Sequence, residues 1–191
     1  MGAARICGTQ IFRYLLERDP QINVALLNDP LRSAAMAGSE EMVGLLLRHG
    51  ANPNTTEMNP ARPRYALTPL EAALWGRHLD IARQLIAAGA KPDIFEAAAL
   101  GEARWLRAFL RKDPQLANLT DRMGLLPIDW ACRARQKEAA RVLLEYMDSP
   151  ELSAMIAAGD EHRVRDYLDR VPIVIRTPDE RRRYPLNYAI E

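Results

Sequence analysis

Pairs of apolar residues recur along the chain at positions i, i+1, i+4 and i+5. They are Ile11-Phe12-Leu15-Leu16, Met42-Val43-Leu46-Leu47, Ile81-Ala82-Leu85-Ile86, Trp105-Leu106-Phe109-Leu110 and Ala139-Ala140-Leu143-Leu144. On a helix those four positions form one stripe, so each group predicts a helix that buries one side. A sixth copy, Val164, Tyr167 and Leu168, has Arg163 at its first stripe position, which turns that edge toward solvent. Upstream of most stripes lies a shorter segment with small or apolar neighbours: Ala34-Ala35, Ala73-Leu74, Ala97-Ala98, Ala131-Cys132, Met155-Ile156 and Ala189-Ile190. The repeating unit is therefore a short helix packed antiparallel on a second helix. Neither helix can bury its face without neighbouring units, which makes stacking obligatory.

Within these units the sequence Thr68-Pro69-Leu70-Glu71-Ala72-Ala73, then Arg77-His78, a stripe, and Gly89-Ala90-Lys91-Pro92-Asp93 resembles an ankyrin repeat. The pattern returns as Asp29-Pro30-Leu31-Arg32-Ser33-Ala34-Ala35 with Gly38 and Gly50-Ala51-Asn52-Pro53-Asn54. It returns again as Leu126-Pro127-Ile128-Asp129-Trp130-Ala131 and as Tyr184-Pro185-Leu186-Asn187-Tyr188-Ala189, so the resemblance covers essentially the whole chain. Physical chemistry accounts for the recurring letters. Proline suits a first helical turn, where its missing N–H would be unpaired anyway, and Thr68 can cap the same turn. Gly50 and Gly89 suit helix ends that need a left-handed residue. The family's usual first-helix histidine, just after the Pro-Leu pair, is replaced by Arg32, Glu71, Asp129 and Asn187, so its inter-repeat hydrogen bonds are not expected from that position unless another polar side chain substitutes.

The resemblance implies an all-α ankyrin-repeat solenoid of stacked helix-turn-helix units. A longer period lies within it, because Pro69, Pro127 and Pro185 are spaced by 58 residues and Gly101 matches Gly159. One member of each pair has a long approach loop. The other runs directly from Pro92-Asp93 into Ile94-Phe95-Glu96, or from Pro150-Glu151 into Leu152-Ser153, so long and short finger loops should alternate. The expected organisation is one domain over residues 1–191, with repeats at 1–28 (partial), 29–62, 63–93, 94–120, 121–149, 150–178 and 179–191 (partial). Residues 1–8 read as a stunted first helix before the Ile11 stripe. Residues Pro185 to Ile190 read as a first helix that wants a second to cover it, supplied by a longer chain or by a partner, the alternative being a frayed end.

Composition narrows the function. The chain has 191 residues, 48% of them apolar, which is enough to bury a substantial interior. Lysine and arginine number 26 against 25 acidic residues, a net charge of +1, so any charge-driven recognition must be local. Cys7 and Cys132 fit neither a disulfide framework nor a metal-ligand spacing, which points to a reducing, cytoplasmic setting. Every apolar run is broken by charge short of the roughly 20 residues of a membrane span, so no membrane is expected. His49, His78 and His162 are scattered, neither cysteine carries a nucleophile signature, and no phosphate-binding glycine loop occurs. No catalytic residue, cofactor or metal site is therefore expected.

Ankyrin-like stacks bind through finger tips and the inner face of their first helices, and those positions give the candidate site. The loop from Thr55 to Leu67 carries about six residues beyond the regular pattern, Glu57 to Arg62, followed by Arg64 and Tyr65. The matching finger offers Arg122 and Met123, the last one Arg181, Arg182 and Arg183, and the inner helix face Trp75 and Arg133. Together Arg62, Arg64, Tyr65, Trp75, Arg122, Met123, Arg133, Arg181 and Arg183 would form a basic strip suited to an acidic protein surface. The alternative is that the arginines solvate loops and Trp75 packs on the neighbouring repeat. The expected function is a non-catalytic protein–protein interaction module, with nucleic acid disfavoured by the short strip and near-zero net charge. Two other readings are a regulatory or targeting segment of a larger enzyme or effector, and an inhibitor of a toxin or enzyme.

Overall fold

The computed structural model describes residues 2–18, 23–56, 67–147 and 150–170, in which every regular element is helical. The chain falls into two compact units that divide between Pro92 and Asp93. The first contains α1 (Gly2–Arg18), a 3-10 turn (Val24–Leu27), α2 (Asn28–Ala37), α3 (Glu40–Arg48), α4 (Pro69–Trp75) and α5 (Leu79–Ala87). Here α2 packs on its own second helix α3 and on α4, while α3 packs on α5 and α1 on α3. The second unit contains α6 (Ile94–Leu100), α7 (Ala103–Lys112), a 3-10 turn (Pro114–Asn118), α8 (Pro127–Arg133), α9 (Lys137–Leu144), α10 (Leu152–Ala158) and α11 (Glu161–Arg170). In it α8 lies against both α6 and α10, and α7 lies against α9.

Small residues permit this layering. Ala35, Ala72, Ala73, Ala97, Ala98 and Ala131 are completely buried in the first helices. The second helices bury Val43, Leu46, Leu85, Leu106, Leu110 and Leu143. Thr68 accepts the Glu71 N–H at 3.0 Å while Glu71 reaches back to the Thr68 N–H at 2.6 Å, so the expected cap forms as a reciprocal pair. Asp129 likewise accepts the Leu126 N–H at 2.9 Å, and Glu96 accepts that of Asp93 at 2.8 Å. Carboxylates at the position usually held by histidine thus bond back onto the start of their own helix. Gly50 and Gly89 adopt φ of 89° and 96°, as their places after α3 and α5 require.

The 58-residue period is visible in the backbone. Arg77 and Arg135 are the two non-glycine residues with positive φ among the described residues, at 62° and 60°, and Gly101 and Gly159 recur with 76° and 66°. Side-chain amides join successive loops. Asn28 accepts the Asn52 N–H at 3.0 Å, and Asn54 accepts the Lys91 N–H and donates to the Gly89 carbonyl, each at 2.9 Å. Where the connection is described throughout, a short and a long loop follow one another as expected: α5 leads to α6 through a few residues, whereas a 3-10 turn and a separate tight turn lie between α7 and α8.

Three expectations need correction. Residues 2–18 form one continuous helix rather than a stunted helix followed by a second one, because no turn signal interrupts Gly2 to Arg18. Of the first stripe only Leu16 is fully buried, while Ile11 and Leu15 are 59% and 53% exposed, since α1 is covered on its α3 side. Phe109 is only half-buried, because Leu106 and Leu110 take the innermost positions of α7.

Candidate partner-binding finger

The best-defined loop begins as the chain leaves the 3-10 turn at Pro114–Asn118 and ends at α8. The Asp121 N–H donates to the Leu125 carbonyl at 2.8 Å, and the Gly124 N–H donates to the Asp121 carbonyl at 3.0 Å. Gly124 has φ of 76°, the left-handed conformation the turn demands. Asp121 Oδ1 accepts the N–H groups of Met123 and Leu125, both at 2.8 Å. Its Oδ2 accepts the indole N–H of Trp130 at 3.0 Å. Trp130 is buried in the first-helix layer, and its ring centroid lies 6.1 Å from that of Phe95 at a tilt of 49°. Phe95 occupies the first turn of α6, which is fixed by the Asp93 carboxylate accepting the N–H groups of Phe95 and Glu96.

At the tip of this turn Arg122 and Met123 are exposed, Met123 by 43%, and Leu119 at its approach is 46% exposed. Arg133 is also exposed but closes α8 at the end remote from the finger. At 1.5 Å rise per residue it stands roughly 10 Å along the helix axis from the turn. The finger pair and Arg133 therefore do not form one contact point. Trp75 ends α4 in the first unit and is half-buried. Arg62, Arg64, Tyr65, Arg181 and Arg183 lie outside the described residues.

Asp121, Trp130 and Phe95 were not singled out as site residues by the sequence. The spacing of Asp121 and Gly124 is a turn signal that could have identified the first, since aspartate bonds backbone N–H groups two residues on. No local signal couples Asp121 to a tryptophan on the following helix.

The histidines serve the scaffold or stand alone. His78 precedes α5 with its ring against Gly38, and His49 ends α3. His162 lies on α11, 3.3 Å from Asp166. Cys132 is half-buried, and desolvation, reinforced by the nearby Asp129 charge, pushes its thiol up to about 12. Such a thiol carries almost no thiolate near neutrality, so it makes a poor nucleophile. Among the described residues no cluster of three His, Cys, Asp or Glu side chains could hold a metal ion. No helix among them is long and apolar enough to cross a membrane.

Layers of first helices packed on second helices, with left-handed turns between them, define a helical-repeat protein. The family model for ankyrin repeats matches residues 1–96 as three copies, and the chain belongs to the ankyrin-repeat family. No curated protein matches it. Ankyrin repeats generally serve as protein-interaction modules.

Proposed function

We propose that the protein is a non-catalytic module that binds an acidic protein segment through the finger at residues 121–126. The observation that carries this reading is the exposure of Arg122 beside Met123 on a turn whose backbone is already hydrogen-bonded. A cation next to a soft, adaptable thioether suits a carboxylate set beside an apolar side chain. Because the turn is ordered before contact, little binding energy is spent on ordering it. The other long finger, with Arg62, Arg64 and Tyr65, and the last one, with Arg181 and Arg183, offer similar chemistry in sequence and are further candidates, each by itself. Trp75 and Arg133 are separate candidates, each on its own first helix. Two cysteines with no disulfide-framework spacing suit a reducing compartment, and we place the protein in the cytoplasm.

The test begins with peptide display against the full-length protein, followed by affinity measurements on the selected peptides. Acidic peptides with one large apolar residue should dominate. Arg122→Glu should weaken their binding by about tenfold or more, as loss of a central charged contact does. Met123→Ala should weaken it less, and neither change should move the melting temperature. Selection of peptides without acidic residues, or unchanged affinity in both variants, would refute the reading.

A further inference from the structure

We propose that Trp130 is a positioning residue for the finger: its indole N–H, bonded to Asp121 Oδ2, holds the turn in the shape that presents Arg122 and Met123. This rests on the reading of the finger as the contact surface. An aspartate four residues before the end of a tight turn will collect nearby backbone N–H groups on its own, and Oδ1 does so with Met123 and Leu125. Those bonds lie within the turn and do not themselves join it to the packed layer. The Trp130 bond is different because it comes from outside the turn, from a residue nine positions on in α8. Trp130 is 6% exposed and its ring rests on Phe95, so the donor is anchored in a packed layer rather than in a loop. The carboxylate thus joins a solvent-exposed tip to the interior through one side chain.

The chain offers an internal comparison. Shifted back by 58 residues, the positions of Asp121 and Trp130 are occupied by Pro63 and Ala72, which have neither the acceptor nor the donor. Shifted forward they become Asp179 and Tyr188, a carboxylate and a ring that again carries a donor, although both lie outside the described residues. The tether is therefore a property of particular fingers and not of the repeat as such. A tethered finger binds with a smaller loss of conformational freedom, so breaking the tether should lower affinity without removing any group that touches the partner.

Two full-length variants separate this role from packing. Asp121→Asn keeps an oxygen for the two main-chain N–H groups but sets an amide donor against the indole donor. Trp130→Phe keeps a ring against Phe95 and removes the donor. Amide exchange followed by NMR should show Met123 and Leu125 exchanging about two- to tenfold faster in both variants, the factor one net hydrogen bond supplies. Amides of Leu106 and Leu143 should be unaffected. In the Trp130→Phe background Asp121→Asn should add less than it does alone, because the opposed donors are gone. Should Trp130→Phe disturb the interior, Asp121→Asn decides the matter by itself.

Unchanged exchange at Met123 and Leu125 in Asp121→Asn overturns the proposal. The peptides selected by display supply the second readout, in which both variants should bind more weakly through slower association. If Arg122→Glu weakens binding but Asp121→Asn does not, the finger is the site and the tether is idle. If none of the variants changes binding, the finger reading itself fails.

Discussion

His78 is held against Gly38, where an added Cβ would lie 2.4 Å from the ring's Cε1 atom. Gly101 stands in the same relation to Gln136, 58 residues after His78, with its Cβ position 2.4 Å from Oε1. Both glycines have φ of 76°, so alanine at either site carries a left-handed strain of roughly 1–2 kcal/mol. The difference lies in what must move. The Gln136 amide ends a flexible chain and can swing aside, whereas the imidazole is a rigid ring fixed close to the backbone. Gly38→Ala should therefore cost more than Gly101→Ala by about 1–3 kcal/mol of overpacking in urea unfolding. Equal costs would mean that His78 can leave its slot. Cys132 gives a second residue-level expectation. Its thiol rises from 9.0 to about 12, so the folded state keeps a proton that the unfolded state releases as pH climbs between those values. The Cys132 contribution to stability should accordingly be constant below about pH 9 and fall above it by up to about 1.4 kcal/mol per pH unit. Cys132→Ala should remove that component, and identical alkaline curves for the two proteins would contradict it. The packing of His78 could be guessed from the family's habits, but the buried state of Cys132 was readable only as a small residue at a helix interface.

Among the described residues the apolar stripes located the second helices and the paired small residues the first ones, while Ala189-Ile190 lies outside them. What the pattern could not fix was the rotation of each helix about its axis, because four adjacent stripe positions span more of the circumference than one neighbour covers. In α9 all four positions are buried, whereas in α7 Trp105 and Phe109 remain half-buried while Leu106 and Leu110 are inaccessible. This distinction makes a testable difference within one helix. Leu110→Ala should cost about 2–5 kcal/mol, as full core truncations do, and Phe109→Ala distinctly less despite removing more atoms. Thermal or urea unfolding of the two variants would check the order, and a larger loss at Phe109 would place the helix in a different rotation. The same uncertainty explains α1. Its stripe reads like the others, yet Ile11, Tyr14 and Leu15 are each more than half exposed, because exposure depends on which neighbour lies beside the helix and not on the helix's own sequence.

For the molecule as a whole, the family was legible because repeated local signals reinforce one another across the chain, whereas the site was only partly legible because loops carry no periodic pattern. Arg122 and Met123 became candidates by their place in the repeat, whereas Asp121 and Trp130 carried no such mark because their bond is a matter of three-dimensional placement. Global charge, by contrast, is fully readable from the sequence and bears directly on the choice of partner. With 26 basic and 25 acidic side chains there is no net field to attract a polyanion. Several surface arginines are also matched locally, Arg83 with Asp80 at 3.1 Å and Arg107 with Glu138 at 3.1 Å. A polyanion spread over this surface would have to displace these carboxylates. Binding of a selected acidic peptide should therefore weaken gently with added salt, as expected for one or two exposed charge contacts screened over a Debye length of about 8–10 Å. Generic duplex DNA or single-stranded RNA should show no saturable binding at physiological ionic strength. A steep, linear dependence of log affinity on log salt, near the slope of about −0.9 per neutralised phosphate, would instead identify a nucleic acid as the partner and displace the acidic protein segment from that role.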